Sequence, residues 1–160
     1  MSASRNGFAK FGDFEGESTD SKHKGWSLMQ SFSAPLSRTT GGFEQSERAL
    51  GATAVGNAVV VKDLDSASVK IQKACATGQK IAKVKAEMCT AVAGGLEPYL
   101  AYEFENAIVT GYDIEVFSEP PTERVTFTYT KVTWTYTKFG PTGASQGKVT
   151  DSFSIGSGGK

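Results

Sequence analysis

Hydrophobic and polar residues alternate along most of the chain, in short runs separated by Gly, Ser, Thr and Pro. An alternation with a period of two residues is typical of β-strands that bury one face. In the longest alternating segment, a bulge is predicted at Gly111, and the residues assigned to the buried face are Leu100, Tyr102, Phe104 and Ile108. The predicted strands are Phe8–Phe14, Trp26–Phe32, Ala58–Leu64, Ile81–Cys89, Leu100–Val116 and Val149–Ile155.

Two alternating patterns of opposite phase meet in the segment Glu123–Phe139. The apolar positions are first Val125, Phe127 and Tyr129, and then Val132, Trp134 and Tyr136. A strand cannot change phase without an extra residue or a change in the face that it buries. The segment is therefore predicted to be one long strand that bends round a small barrel and passes from one packing layer to another.

One segment has the helical period instead. Within 66–77, the residues that share a helical face are Ala67, Ile71, Ala74 and Cys75,. Asp65 or Ser66 can accept from the free N–H groups at the start, and Gly78 can adopt the left-handed conformation at the end. A short α-helix is therefore predicted at about 66–77.

The remaining segments bound the domain organisation. Arg38–Gly56 is rich in Gly, Thr, Ser and charge, which predicts an extended loop of the functional or mobile kind, and 156–160 is predicted to be a flexible tail. A chain of 160 residues has room for one domain with a hydrophobic core,. We predict a single mainly β domain, a small antiparallel barrel of two packed sheets with one helix.

Charge changes this picture only locally. Lysine plus arginine and aspartate plus glutamate balance at 17 each, and the apolar runs are too short to cross a bilayer, so neither nucleic acid nor membrane insertion is expected. Lysines nevertheless dominate from Ala58 to Glu87, and acidic residues from Glu97 to Arg124. Two interpretations stay open: solvated faces, or complementary surfaces that meet between identical subunits. The candidate interface residues are Arg38, Glu44, Glu47, Arg48, Lys83, Lys85, Glu103 and Glu105.

Residue types that carry chemistry are scarce. The single histidine, His23, lies in a polar loop far in sequence from both cysteines, and no nucleophile elbow, Walker loop or dinucleotide fingerprint occurs,. The acidic residues around it lack the spacing of a calcium-binding loop and fit a solvated turn, and Glu103 and Glu105 fit a water-facing stripe on a strand. The sequence predicts no catalytic residue, no cofactor and no metal. Cys75 and Cys89 are expected to be free thiols of a protein made in a reducing cytoplasm.

Three stretches resemble the Hcp (haemolysin-coregulated protein) family of type VI secretion. They are Gly16–Trp26, Asp65–Gly78 with its Cys-Ala-Thr-Gly ending, and Pro121–Val125 with the strand that follows. Their order and spacing run from Phe8 to about Tyr136, and the segment Arg38–Gly56 is longer and more charged than the resemblance implies. The positions that carry the resemblance are Gly16, Glu17, Ser18, Thr19, Asp20, His23, Gly25, Trp26, Cys75, Gly78, Pro121, Thr122 and Glu123.

The resemblance implies a structural protein and not an enzyme. Its subunits would close into hexameric rings that stack into a hollow tube inside a contractile sheath. Contraction would expel the tube with its spike into a target cell, and the ring lumen would carry and protect small effector proteins. The protein would be made in the bacterial cytoplasm and secreted without a signal peptide, since Met1–Phe8 contains no apolar core,. The alternatives are a monomeric β-sandwich that binds a small ligand or glycan and, less favoured, a hydrolase using Glu103, Glu105 or the His23 loop.

Overall fold

The computed structural model describes residues 6–38, 53–117 and 119–155. Within these ranges the chain forms ten β-strands and one α-helix, α1 (Ser68–Thr77), which lies between β5 and β6. The strands are β1 (Gly7–Phe11), β2 (Ser27–Ser33), β3 (Leu36–Arg38), β4 (Thr53–Val55), β5 (Ala58–Asp63), β6 (Lys80–Val92), β7 (Gly95–Glu115), β8 (Thr122–Thr128), β9 (Lys131–Phe139) and β10 (Ser145–Ser154).

Six strands close into an antiparallel barrel. They pair in the order β7–β6–β1–β2–β5–β8, and β8 pairs with β7 to complete the circle. Closure removes the unpaired edges that an open sheet of these strands would expose. The predicted mainly β fold, an antiparallel barrel with one short helix, is confirmed.

The strand β7 connects the barrel to a second layer. One of its edges pairs with β6, while the other pairs first with β9 over Leu100–Glu105 and then with β8 over Ile108–Glu115. The change of partner occurs at Asn106, which has a φ of 53°. This left-handed residue shifts the alternation, so that Phe104 is buried before it and Ala107 after it,. The assignment of Ile108 to the buried face is therefore wrong, whereas the bulge predicted at Gly111 is confirmed by a register shift between Val109 and Gly111.

The single bent strand predicted at Glu123–Phe139 is wrong. The chain breaks at Tyr129–Thr130, and β8 and β9 lie end to end along the same edge of β7. The Thr130 N–H donates to the Glu105 carbonyl at 3.0 Å, opposite the change of phase in β7. The phase change read from the sequence is thus the junction of two strands, and the strand that bends between layers is β7.

The helix α1 begins two residues later than predicted. The Asp65 carboxylate accepts the Ala67 N–H at 3.0 Å, and Gly78 ends the helix with a φ of 70°. The helix packs Ile71 and Ala74 on the barrel, and both are fully buried. It is too short to span a membrane, and the described residues contain no other helix.

The segment predicted as a loop begins and ends in a small sheet. Strands β3 and β4 pair antiparallel, with Arg38 opposite Thr53. Residues 39–52, which include the interface candidates Glu44, Glu47 and Arg48, lie outside the described residues, as does the tail 156–160.

Aromatic rings pack against one another in the barrel interior, whereas the β9–β10 hairpin lies outside the closed barrel. Phe104 packs edge-on against Phe127 at 5.1 Å between ring centroids, and both rings are fully buried,. On the hairpin, Tyr136 and Val149 are apolar positions of alternating segments, yet they are 52% and 71% exposed. The reason is that β10 pairs only with β9 among the described strands and no layer covers its outer part.

Candidate functional site

The loop Gly16–Trp26 folds back on itself through backbone hydrogen bonds. The Gly16 N–H donates to the Gly25 carbonyl at 2.7 Å, and the Ser18 N–H donates to the Trp26 carbonyl at 2.8 Å. Gly16 is required because a Cβ there would lie 2.6 Å from the Trp26 carbonyl oxygen, and Gly25 because its φ is +78°,. The two glycines let the loop close tightly enough to point His23 inward.

His23 is the centre of this loop. Its side chain is buried, with Nδ1 2.7 Å from the Asp20 carboxylate and Nε2 2.6 Å from the Glu87 carboxylate of β6. The ring stacks on Phe8 at 4.2 Å between centroids and meets the edge of Trp26 at 4.8 Å. One side chain therefore joins the loop to both β1 and β6.

The electrostatics make His23 a cation. Burial by itself lowers the pKa of His23, but hydrogen bonds with Cys89 and the two carboxylates raise it by more, to about 10,. The hydrogen bond from His23 likewise holds the pKa of Asp20 below its usual value. Both ring nitrogens donate to carboxylates, so His23 is placed as a structural ion and not as a general base.

The same cluster contains donors that metal ions use. Atoms of His23, Glu87 and Cys89 lie within 4.8 Å of one another, a set that would suit zinc,. The Nε2–Oε2 separation of 2.6 Å is that of a hydrogen bond, however, and two ligands of one tetrahedral zinc lie roughly 3.3 Å apart,. The geometry is therefore that of a histidine cation hydrogen-bonded to the Asp20 and Glu87 carboxylates.

A second buried ionic cluster lies at the start of α1. Lys62 of β5 and Glu123 of β8 form an ion pair, and both side chains are inaccessible to solvent. Lys62 Nζ also donates to the Asp65 carboxylate at 3.0 Å, while Glu123 accepts hydrogen bonds from Ser68, at 2.9 Å, and from the Tyr112 hydroxyl. Burial and the contact with Glu123 raise the pKa of Tyr112 well above its usual value. This cluster ties three barrel strands to the helix.

The other positions that carry the resemblance lie outside the centres of the two ionic clusters. Glu17 and Thr19 are exposed on the loop, and Cys75 is a half-buried free thiol on α1. The Pro121 carbonyl accepts the Leu64 N–H at 2.9 Å, and Thr122 begins β8. These residues position the two ionic clusters or lie at the surface beside them.

Four of the interface candidates lie side by side on β6 and β7, and three of them form ion pairs within the chain. In the β6–β7 register, Lys83 lies opposite Glu105 and Lys85 opposite Glu103. The Lys83 ammonium lies 2.8 Å from the Glu103 carboxylate, which raises the pKa of Lys83. Glu105 is 3.6 Å from the ammonium of Lys131 on β9. Of this group, Lys85 has no ion-pair partner among the described residues, and a role in assembly stays a prediction.

Sequence reasoning missed Lys62, Tyr112, Glu87 and Cys89 as parts of these clusters. A signal for the first was available, because Lys62 shares its alternation phase with the buried Ala58 and Val60. Glu123 likewise shares the phase of Val125. No local sequence pattern predicts the role of Glu87, because its partner His23 lies 64 residues away.

The comparison with protein families decides the identity. The profile of the family described as "Type VI secretion system effector, Hcp" matches residues 8–136. The chain belongs to the Hcp family. The matched range includes both ionic clusters, and the family supports a tube protein of type VI secretion. A search of curated protein sequences finds no match.

Solved structures agree with the Hcp assignment. A structure described as a type six secretion system protein is 28% identical and superposes with a TM-score of 0.85, over 93% of this chain and 94% of that one. Hcp1 from Salmonella typhimurium is 25% identical with a TM-score of 0.70, over 92% of each chain. A type VI secretion system effector from Yersinia pestis, 22% identical, shares the fold with a TM-score of 0.72, over 93% of this chain and 99% of that one.

Proposed function

We propose that this Hcp chain is the subunit of the type VI inner tube, and that it closes into hexameric rings that stack. The observation that carries the proposal is the family match over residues 8–136. The ring number and the stacking come from the resemblance, and the next paragraphs give the features of this chain that support self-association.

The β9–β10 hairpin supports self-association. The ten-residue strand β10 lies at the edge of the sheet, and eight of its residues are exposed. Long exposed edges present unpaired N–H and C=O groups that pair readily with another chain. The exposed Tyr136 and Val149 add apolar area beside this edge,. A neighbouring subunit is the simplest cover for such an edge.

The proposal includes the biological setting of the tube. The protein is made in the bacterial cytoplasm and is expelled into target cells with sheath and spike proteins as partners. The ring lumen carries and protects small effector proteins. These statements rest on the family, whose described role is secretion.

Light scattering after gel filtration, combined with negative-stain electron microscopy, tests the central claim. We expect the mass of six chains and rings with a central hole. A monomer that persists at high protein concentration would contradict the proposal and favour the monomeric ligand-binding module. Co-purification of effectors with rings, and their loss from cells that lack this chain, tests the carrier role separately.

A further inference from the structure

Two surfaces of the chain are complementary in shape and charge. The first is the turn between β7 and β8, which we call the acidic tip and which contains Glu115, Val116, Phe117 and Glu119. The Phe117 side chain is 95% exposed and that of Val116 is 63% exposed. An aromatic side chain this exposed contributes nothing to the core of its own chain. Aromatic side chains are typical anchors of protein–protein contacts.

The second surface is a groove between the end of β1 and the start of β6, which we call the basic groove. Its volume is about 570 Å³, which is ample for an aromatic side chain,. Phe14, Trp26 and Ile81 line it with apolar atoms, and its charged lining is four lysines, among them Lys80 and Lys85, and one acid, Asp13. The groove therefore combines an apolar interior with an excess of positive charge.

Each of these two surfaces carries charged side chains that form no ion pair within the described ranges. Two other lysines of the groove are already paired, Lys10 with Glu15 and Lys83 with Glu103. Lys80 and Lys85 have no carboxylate partner in the ranges that the structure describes, and the same is true of Glu115 and Glu119 on the tip. Within the described ranges, the chain thus exposes an aromatic ring between two unpaired carboxylates and, elsewhere, an apolar groove with two unpaired ammonium groups.

We propose that the acidic tip of one subunit docks in the basic groove of a second copy of the chain, with the Phe117 ring as the anchor. The inference rests on the proposed function, because it supplies the contact that the tube subunit needs. Two different patches of the same chain meet in this contact, so it is heterologous, and such contacts generate rings or filaments. The charges set orientation while the ring provides the desolvated centre.

Site-specific photocrosslinking tests the contact directly. Phe117 is replaced by p-benzoylphenylalanine, which keeps an aromatic ring, and the assembled protein is irradiated and digested. We expect cross-links between chains to peptides that contain Trp26 or Ile81. The matched control places the same residue at Val69, which is 73% exposed on α1. Rings whose residue 117 cross-links elsewhere, or to another protein only, would overturn the inference and leave the proposed function intact. Absence of any assembly of the unmodified chain would instead contradict the proposed function.

A mixing experiment tests the heterologous nature of the contact. Phe117→Ala removes the anchor, and Lys80→Glu with Lys85→Glu reverses the groove. Each variant alone is expected to associate at least about tenfold more weakly than the unmodified chain in sedimentation velocity. An equimolar mixture retains one intact groove and one intact tip, and is expected to form dimers but no rings. Lys70→Glu with Lys73→Glu on the exposed face of α1 is the charge-matched control. Unchanged ring formation by both folded variants would overturn the inference.

Discussion

The buried ionic clusters and the β9–β10 hairpin are opposites: the clusters bury charged side chains, and the hairpin exposes apolar ones. Lys62 and Glu123 are buried charged groups that pair with each other, and His23 is a buried charged group held between two carboxylates under the loop Gly16–Trp26. Outside, Tyr136 and Val149 are apolar side chains with large exposed fractions. A monomer optimised only for its own stability would pair surface charges loosely and bury its large apolar residues.

This difference separates folding from assembly. Changes to the buried ions remove contacts that exist within one chain, so they act on the free energy of unfolding. In the proposed assembly the hairpin contacts a partner, so we expect changes to it to act on association.

The largest expected effect is at the buried Lys62–Glu123 pair. Glu123→Ala leaves the Lys62 ammonium buried beside a cavity, and we expect the free energy of unfolding to fall by about 3–5 kcal/mol. Urea denaturation followed by tryptophan fluorescence measures it. Glu119→Ala, at an exposed acid, is the control and should change stability by less than about 0.5 kcal/mol. Equal stability of the two variants would show that the pair does not hold the helix to the barrel.

His23→Gln comes next, with an expected loss of about 2–3 kcal/mol near pH 6. The loss is smaller because Asp20 and Glu87 are partly exposed and regain water,. Folding raises the pKa of His23 from 6.5 to about 10. Its stabilisation is therefore complete below about pH 6.5 and is lost as the pH rises through about 10.

A pH series of urea denaturation isolates this contribution. The free energy of unfolding of the unmodified chain should fall between about pH 6.5 and 10 relative to that of His23→Gln. Lysines and tyrosines titrate alike in both proteins, so the difference between the two curves reports on His23. Parallel curves across this range would mean that His23 is not held as a cation.

The third effect is on association alone. Val149→Lys places a charge on the exposed part of β10, and we expect it to weaken ring formation while the free energy of unfolding changes by less than about 0.5 kcal/mol. Sedimentation velocity across a concentration series measures association. Val69→Lys on the outer face of α1, which is equally exposed, should assemble like the unmodified chain. Rings of unchanged stability from Val149→Lys would remove the hairpin from the interface.

The smallest effect distinguishes the two thiols. Cys75 is half-buried on α1, whereas the Cys89 side chain is buried beside His23. We expect a disulfide reagent to modify Cys75 rapidly in the folded chain and Cys89 only at the rate of unfolding. Cys75→Ser should abolish the fast phase and Cys89→Ser the slow one. Equal rates for both thiols would show that the cluster around His23 opens freely.

Much of the barrel could be predicted because local alternation and packing agree there. Most predicted strands correspond to observed ones, and the Gly111 bulge was correctly predicted from a glycine that interrupts the alternation of β7. Glu123–Phe139 was read as one strand because two strands lie end to end along β7 and leave only a phase change in the sequence. That error concerns which residues pair. Pairing is set by β7, whose partners lie between 7 positions away, at Glu115 and Thr122, and 36 positions away, at Leu100 and Tyr136.

The candidate site was predicted less completely. The resemblance included His23 and Glu123, but their partners Glu87 and Lys62 come from strands distant in sequence. Alternation alone places Glu87 on the same side as the lysines of β6, and only the folded loop brings His23 to it. The exposure of Phe117 was likewise unpredictable, since an apolar residue at the end of a strand usually packs under the following turn.

The uninterrupted backbone of β7 has a mechanical consequence. It is hydrogen-bonded to β6 on one edge and to β9 and then β8 on the other, and its bend at Asn106 is fixed by the ladders on both sides of it. A load on the hairpin therefore passes through the β9–β7 hydrogen bonds into β7 and along that strand into the barrel, so many hydrogen bonds bear it in shear at once. In the proposed assembly, this connection would fix the angle at which the next subunit is added to the hairpin edge.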